Sequence, residues 1–160
     1  MNEIMDLQSI SIEKARHEDA YKIPELLAPW VEKQIVLPRT TEDILQHLEN
    51  FLVARFAGAL VGVVALRDFG EGLNEVRSLA VASGFENVGL GSALVRAAID
   101  LAKKRQASRI FALTMRPRLF QRMGFEIVDK ELFPQKVWLD CSKCPKRECC
   151  DEFAVSLELN

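Results

Sequence analysis

The sequence predicts an α/β (α+β) protein, one central sheet with helices on both faces. Three observations predict it. Short apolar or alternating runs recur along the chain, at 51–56, 60–66, 75–81, 109–115 and 125–128. One long segment, 89–105, repeats its apolar residues at helical spacing. The two kinds of segment interleave in the order β-α-α-β-β-β-α-β-α-β-β, which a layered sheet with helices accommodates.

Each element has its own reason. Ile10 and Ile12 alternate with polar neighbours in a short first strand. His17-Glu18-Asp19 leads into a helix whose apolar positions are Ile23, Leu26 and Leu27, with Asp19 as its cap. Pro29 is expected to end or kink that helix, because a proline removes a backbone donor. A second helix is expected over 42–50, with Ile44, Leu45 and Leu48 facing inward. The runs 51–56 and 60–66 flank Ala57-Gly58 and read as a hairpin. Residues 75–81 form the next strand. In the helix 89–105, Leu90, Leu94, Ala97 and Leu101 share one side, and Arg96, Asp100 and Lys104 lie on the other. A strand at 109–115, a short helix at 118–123, a strand at 125–128 and a closing strand at 152–159 complete the series.

The composition is that of one globular domain over residues 1–160, with a cysteine-rich appendage at 141–150. Hydrophobic residues make up 49% and charged residues 28%, too apolar for disorder. Lys+Arg at 21 against Asp+Glu at 23 leaves a formal charge of -2, so no basic excess points to nucleic acid or an anionic membrane. No apolar stretch approaches the ~20 residues of a membrane span. The first ten residues lack the cationic and apolar regions of a signal peptide. The expected compartment is the cytoplasm, where four cysteines stay thiols or metal ligands. A homodimer is one admissible assembly.

The segment from Leu79 to Leu94 carries chemistry. A strand enters a turn with two glycines, Gly89 and Gly91, and a helix starts at once. The first N–H groups of a helix have no partner inside it, and the aligned peptide dipoles place positive charge there. Glycines let a phosphorylated ligand approach that backbone. An anion site is therefore expected near 88–92. The dinucleotide fingerprint is incomplete, since Leu94 stands where a third glycine belongs and no acidic residue ends the next strand. The Gly-Lys-Ser/Thr of a P-loop is absent as well.

Leu79-Ala80-Val81, then Asn87-Val88-Gly89-Leu90-Gly91-Ser92, resembles the acetyl-CoA segment of the GNAT superfamily of N-acetyltransferases. Leu119-Phe120-Gln121-Arg122-Met123-Gly124-Phe125 resembles the closing motif of the same superfamily, and 15–27 is similar to its opening stretch. The resemblance implies a mixed, mostly antiparallel sheet with one splayed strand pair. It implies that Leu79, Ala80 and Val81 pair with the pantetheine arm, and that Asn87, Val88, Gly89, Leu90, Gly91 and Ser92 hold the diphosphate. Two positions depart from the pattern. Glu86 replaces the usual Gln or Arg, which weakens diphosphate binding unless the carboxylate points to solvent. Phe120 replaces the Tyr that protonates the departing thiolate, and the single tyrosine, Tyr21, lies near the first helix. With a thiol pKa of about 8.5, protonation at neutral pH is worth only about 2 kcal/mol, so water can serve.

Within the superfamily, Val36-Leu37-Pro38-Arg39-Thr40, 74–81, Phe111-Ala112-Leu113-Thr114 and 133–141 resemble the short bacterial N-acetylglutamate synthases. Glutamate carries two carboxylates, and the planar arginine fork binds both oxygens of one. Arg77 sits two residues before Leu79 and is expected to share its face with Leu79 and Val81. Arg39 and Arg77 are the expected carboxylate anchors, assisted by Lys136. Attack needs a neutral amine, and Glu75, four residues before Leu79, is the expected base, directly or through water. A strand amide near Val81 would stabilise the oxyanion. His17 and His47 read as helix-surface residues. Acetylation of another small amine or a protein N-terminus, and a non-catalytic CoA-binding module, remain open beside the synthase.

Cys141, Cys144, Cys149 and Cys150 fall within ten residues. Their spacing admits zinc ligation, free thiols or a redox pair, and no metal site is assigned. Bracing the loop that carries Lys136 suits them better than catalysis.

Overall fold

The computed structural model describes residues 9–133 and 153–159. The strands are β1 (Ile10–Lys14), β2 (Phe51–Phe56), β3 (Ala59–Asp68), β4 (Leu73–Val81), β5 (Arg109–Thr114), β6 (Glu126–Val128) and β7 (Phe153–Glu158). The helices are α1 (Ile23–Glu32), α2 (Thr41–Gln46), α3 (Leu90–Lys104) and α4 (Pro117–Gln121). One mixed sheet runs in the order β1-β2-β3-β4-β5-β7-β6. Every neighbouring pair is antiparallel except β4 with β5. The element order is the one expected.

Local chemistry accounts for the elements. Ala57 and Gly58 both have positive φ, 50° and 82°, the conformation of a tight hairpin turn between right-twisted strands. Thr40 caps α2 by accepting from the Asp43 N–H at 3.1 Å. α2 is shorter than the expected helix over 42–50. Its regular turns stop at Gln46, and Leu48–Asn50 forms a separate 3-10 turn.

Pro29 does not end α1, which continues to Glu32. The proline costs a hydrogen bond, but the turn containing it is pinned by burial of Leu27 and Trp30 and by the Trp30 Nε1–H bond to the Val81 carbonyl at 3.2 Å. Asp19 does not cap α1 either. It accepts from the Arg16 N–H at 2.7 Å and closes a separate 3-10 turn, His17–Tyr21.

Two cores lie on opposite faces of the sheet. α3 buries Leu90, Leu94, Val95, Ala98, Leu101 and Ala102 against Leu52, Val64, Leu66 and Val76. α1 and α2 bury Ile23, Leu27, Trp30 and Ile44 against Phe51, Val53, Val63 and Ala80. A third cluster stacks Phe111 on Phe133 at 4.3 Å, with Phe69 alongside. No helix among the described residues is long and apolar enough to cross a membrane.

Candidate active site cleft

β4 and β5 start as partners and then part. Their ladder covers only Leu73↔Arg109, Asn74↔Ile110 and Glu75↔Phe111, whereas β4 continues to Val81 and β5 to Thr114. The cause lies in β4. Its partners on β3 shift from Ala65↔Arg77 to Val63↔Ala80, so one extra residue is accommodated, and Ser78 takes φ 53°. Such a bulge bends the strand and increases its twist. The bend opens a cleft of about 1430 Å³ between the two strands, continuous with the start of α3, the flank of α4 and the end of α1.

The bulge also corrects an expectation about faces. Period-2 alternation would set Glu75, Arg77, Leu79 and Val81 on one side. Across the extra residue the alternation inverts. Leu79 and Val81 pack with Val76 toward α3. Arg77 is cross-strand from Ala65, whose side chain belongs to the α1 and α2 face. Arg77 and Glu75 keep a common face and form an ion pair through Nε and Oε1.

Val81 shows how the gap is lined with backbone. The Ala82 N–H donates to the Val61 carbonyl at 2.8 Å beside the Gly62↔Val81 pair. That makes the pair non-hydrogen-bonded, so the N–H and C=O of Val81 turn away from β3 and toward the gap. Alternation turns those of Leu79 the same way. The Val81 carbonyl accepts from Trp30 Nε1, and Arg116 lies 4.8 Å from the centre of the Trp30 ring. A ligand carrying amides can extend the sheet along this edge.

At the far end of the cleft, Asn87 and Gly89 take φ 65° and 84°, and Gly89 starts α3 without a side-chain cap. The N–H groups of the first turn are thus left for a ligand, at the positive end of a 15-residue helix. Asn87, Gly89, Gly91 and Ser92 line the cleft. Val88 packs against the α3 core and Leu90 is buried within it, so these two offer backbone only. The Glu86 carboxylate is exposed and turned back to accept from the Gly84 N–H at 2.8 Å. Phe120 lines the wall with a buried ring, edge-on to Phe125 at 5.2 Å.

Charged groups gather on the other side of the sheet. Arg39 pairs with Asp43, lies 5.1 Å from the centre of the Phe51 ring, and donates from Nη1 to Ser78 Oγ at 3.4 Å. It therefore reaches the bulge itself. Arg67, cross-strand from Glu75, is absent from the expected set yet lines the same cleft. The guanidiniums of Arg67 and Arg77 lie 4.6 and 5.7 Å from the centre of the Phe69 ring. The tight turn Phe69-Gly70-Glu71-Gly72 was the signal that could have found Arg67, because a hairpin's loop length fixes which residues face each other. His47 also borders the cleft but is exposed, with Nε2 3.8 Å from Asp43 Oδ1, and His17 stacks loosely against Tyr21 on the surface.

Arg39, Glu75, Arg77, Leu79, Ala80, Val81, Asn87, Gly89, Gly91, Ser92 and Phe120 thus border one cleft. Lys136 and the four cysteines lie outside the described residues.

Comparison with known proteins agrees with this fold. Residues 11–125 match the acetyltransferase (GNAT) family. An uncharacterised N-acetyltransferase of Chlorobaculum tepidum is 38% identical over 144 residues, covering 90% of this chain and 93% of that protein. The amino-acid acetyltransferase of Neisseria meningitidis is 32% identical over 79% of this chain, but the match spans only 29% of that longer protein. Among solved structures, N-acetylglutamate synthase from Neisseria gonorrhoeae, complexed with coenzyme A and N-acetyl-glutamate, superposes with a TM-score of 0.84 at 27% identity. That superposition covers 94% of this chain and 35% of the synthase.

Proposed function

The chain belongs to the acetyltransferase (GNAT) family, and from that premise we propose that it moves the acetyl group of acetyl-CoA to the α-amine of L-glutamate, as an N-acetylglutamate synthase acting in the cytoplasm in arginine biosynthesis. The observation that carries the choice of acceptor is the convergence of Arg39, Arg67 and Arg77 with Glu75 on the cleft that the bulge opens. An acceptor with two carboxylates needs several cations, and a neutral amine or a peptide N-terminus does not. The relative complexed with coenzyme A and N-acetyl-glutamate supports the same reading.

In this reading the two ends of the cleft divide the work. The free N–H groups at the start of α3, from Val88 to Ser92, hold the diphosphate. The Leu79 and Val81 edge aligns the pantetheine arm and brings the thioester to the bulge. Arg39, Arg67 and Arg77 orient the glutamate carboxylates, with Lys136 assisting. Glu75 takes the ammonium proton, directly or through water, and the amine attacks the thioester carbonyl. A gap-facing amide of β4 near Val81 stabilises the oxyanion. Phe120 offers no proton, so water protonates the departing thiolate. No acyl-enzyme forms. Glu86 borders the cleft as well, and its carboxylate is engaged by the Gly84 N–H.

The test is thiol release from acetyl-CoA measured against a panel of amino acids, small amines and short peptides. The expected result is turnover with glutamate at a kcat/KM well above every other acceptor. Turnover with another amine and none with glutamate would overturn the acceptor assignment.

A further inference from the structure

Two arginines of the cleft have no side-chain partner among the described residues. Every other described arginine has a side-chain partner: Arg16, Arg39, Arg55, Arg77 and Arg109 on carboxylates, Arg105 on Asn50, Arg96 on the Met123 sulfur, and Arg67 and Arg116 on aromatic rings. Arg118 and Arg122 are exposed, line the cleft, and make no side-chain hydrogen bond or ion pair with any described residue. The Arg122 N–H donates to the Arg118 carbonyl at 3.1 Å, so the two are one helical turn apart and project on the same side of α4. Like charges at that spacing repel.

Their position indicates what offsets the repulsion. Between them on α4 sits Leu119, and a Cβ at Gly91 would touch its Cδ2 at 3.8 Å. α4 is therefore packed against the first turn of α3, where unpaired main-chain donors face the cleft. CoA carries one further anion besides its diphosphate. This is the 3′-phosphate, attached to the same ribose and close to a dianion at neutral pH. We infer that Arg118 and Arg122 form a 3′-phosphate subsite that makes the enzyme discriminate CoA from 3′-dephospho-CoA. The main-chain amides read the diphosphate, which many nucleotides share, and the two guanidiniums read the monophosphate that distinguishes this one. The inference rests on acetyl-CoA as donor and not on glutamate as acceptor.

Calorimetric titration of the wild-type protein with CoA and with 3′-dephospho-CoA, at low ionic strength and without any acceptor, tests it. The wild type is expected to bind CoA at least about tenfold tighter, the scale of one or more charge-assisted hydrogen bonds. In the Arg118→Ala/Arg122→Ala variant the two Kd values should converge to within about twofold, through loss of CoA affinity alone. Both residues are exposed, so thermal unfolding of the variant gives an independent check that it folds. A wild-type preference near one would overturn the subsite, and so would a variant that loses affinity for both ligands equally. Because no acceptor is present, failure here is distinguishable from failure of the glutamate assignment.

Discussion

At the scale of single residues, the proposed acceptor side of the cleft depends on which cations are committed elsewhere. Arg39 is tied to Asp43 and Ser78, and Arg77 to Glu75, so both come to a ligand already oriented. Arg67 is set differently. It stands on β3 opposite Glu75, and its guanidinium lies against the Phe69 ring where the residue lines the cleft. A preoriented guanidinium on a substrate carboxylate contributes about 1.5–3 kcal/mol. Arg67→Ala is therefore expected to raise KM for glutamate about 10- to 100-fold while leaving KM for acetyl-CoA within about twofold, measured by steady-state kinetics with each substrate varied in turn. Equal losses for both substrates would remove Arg67 from the acceptor pocket. The cross-strand position of this arginine explains why it escaped a reading along the chain: pairing partners eight residues apart become neighbours only once the register of the hairpin is known.

At the scale of elements, the cleft requires α3 to lie close on β3, and Gly62 makes that possible. A Cβ at this position would meet Leu94 Cδ1 at 2.9 Å, Ala54 Cβ at 3.3 Å and Leu90 Cδ2 at 3.4 Å. Both leucines are almost fully buried in the α3 core, so neither has room to withdraw. Gly62→Ala is expected to destabilise the protein by about 1–3 kcal/mol through overpacking, read as a shift in the denaturation midpoint. Because Leu90 opens α3, the same variant should weaken CoA binding. A variant as stable as wild type would mean that α3 and β3 can separate without cost. Elements whose signal is local were legible in the sequence. α3 follows from its periodicity, the Ala57-Gly58 turn from its residue types, and the start of α3 from Gly89 and Gly91. The bulge was not legible, because Ser78 carries no residue-type signature of positive φ and the extra residue shows only in the β3–β4 register. Missing it placed Arg77 on the face of Leu79. Pro29 failed as a stop signal for a related reason, since the burial of Trp30 is a tertiary contact that no local rule contains.

At the scale of the whole molecule, the cleft divides the sheet, so integrity depends on the edges of each half. β1 to β4 are braced at their outer edge by a charge network. Arg55 on β2 donates to Glu13 on β1 at 2.6 Å and to Asp19 Oδ1 at 2.9 Å, and Asp19 also caps the turn leading to α1. Asp19 is only 1% exposed, so its charge is tolerated because it is paired. Burial alone would raise the Asp19 carboxyl, but the Arg55 hydrogen bond, the Arg16 N–H and both positive charges outweigh it and hold the group below its ordinary range. Glu13 is lowered too, chiefly by its hydrogen bond to Arg55. A carboxyl with a lower pKa in the folded state stabilises the fold above its unfolded pKa of about 4, and that contribution is lost as pH falls through the folded value. Urea denaturation of the wild type is therefore expected to show stability that is level near neutrality and declines once the pH drops below about 5. Asp19→Asn removes one titrating group and leaves Arg55 short of a charged partner. The variant should be less stable by about 3–5 kcal/mol at pH 7 and should show a shallower acid decline. The slope is the decisive measurement, because a destabilised variant with an acid limb as steep as wild type would assign the acid sensitivity to other carboxylates and leave Asp19 a purely steric part of the edge.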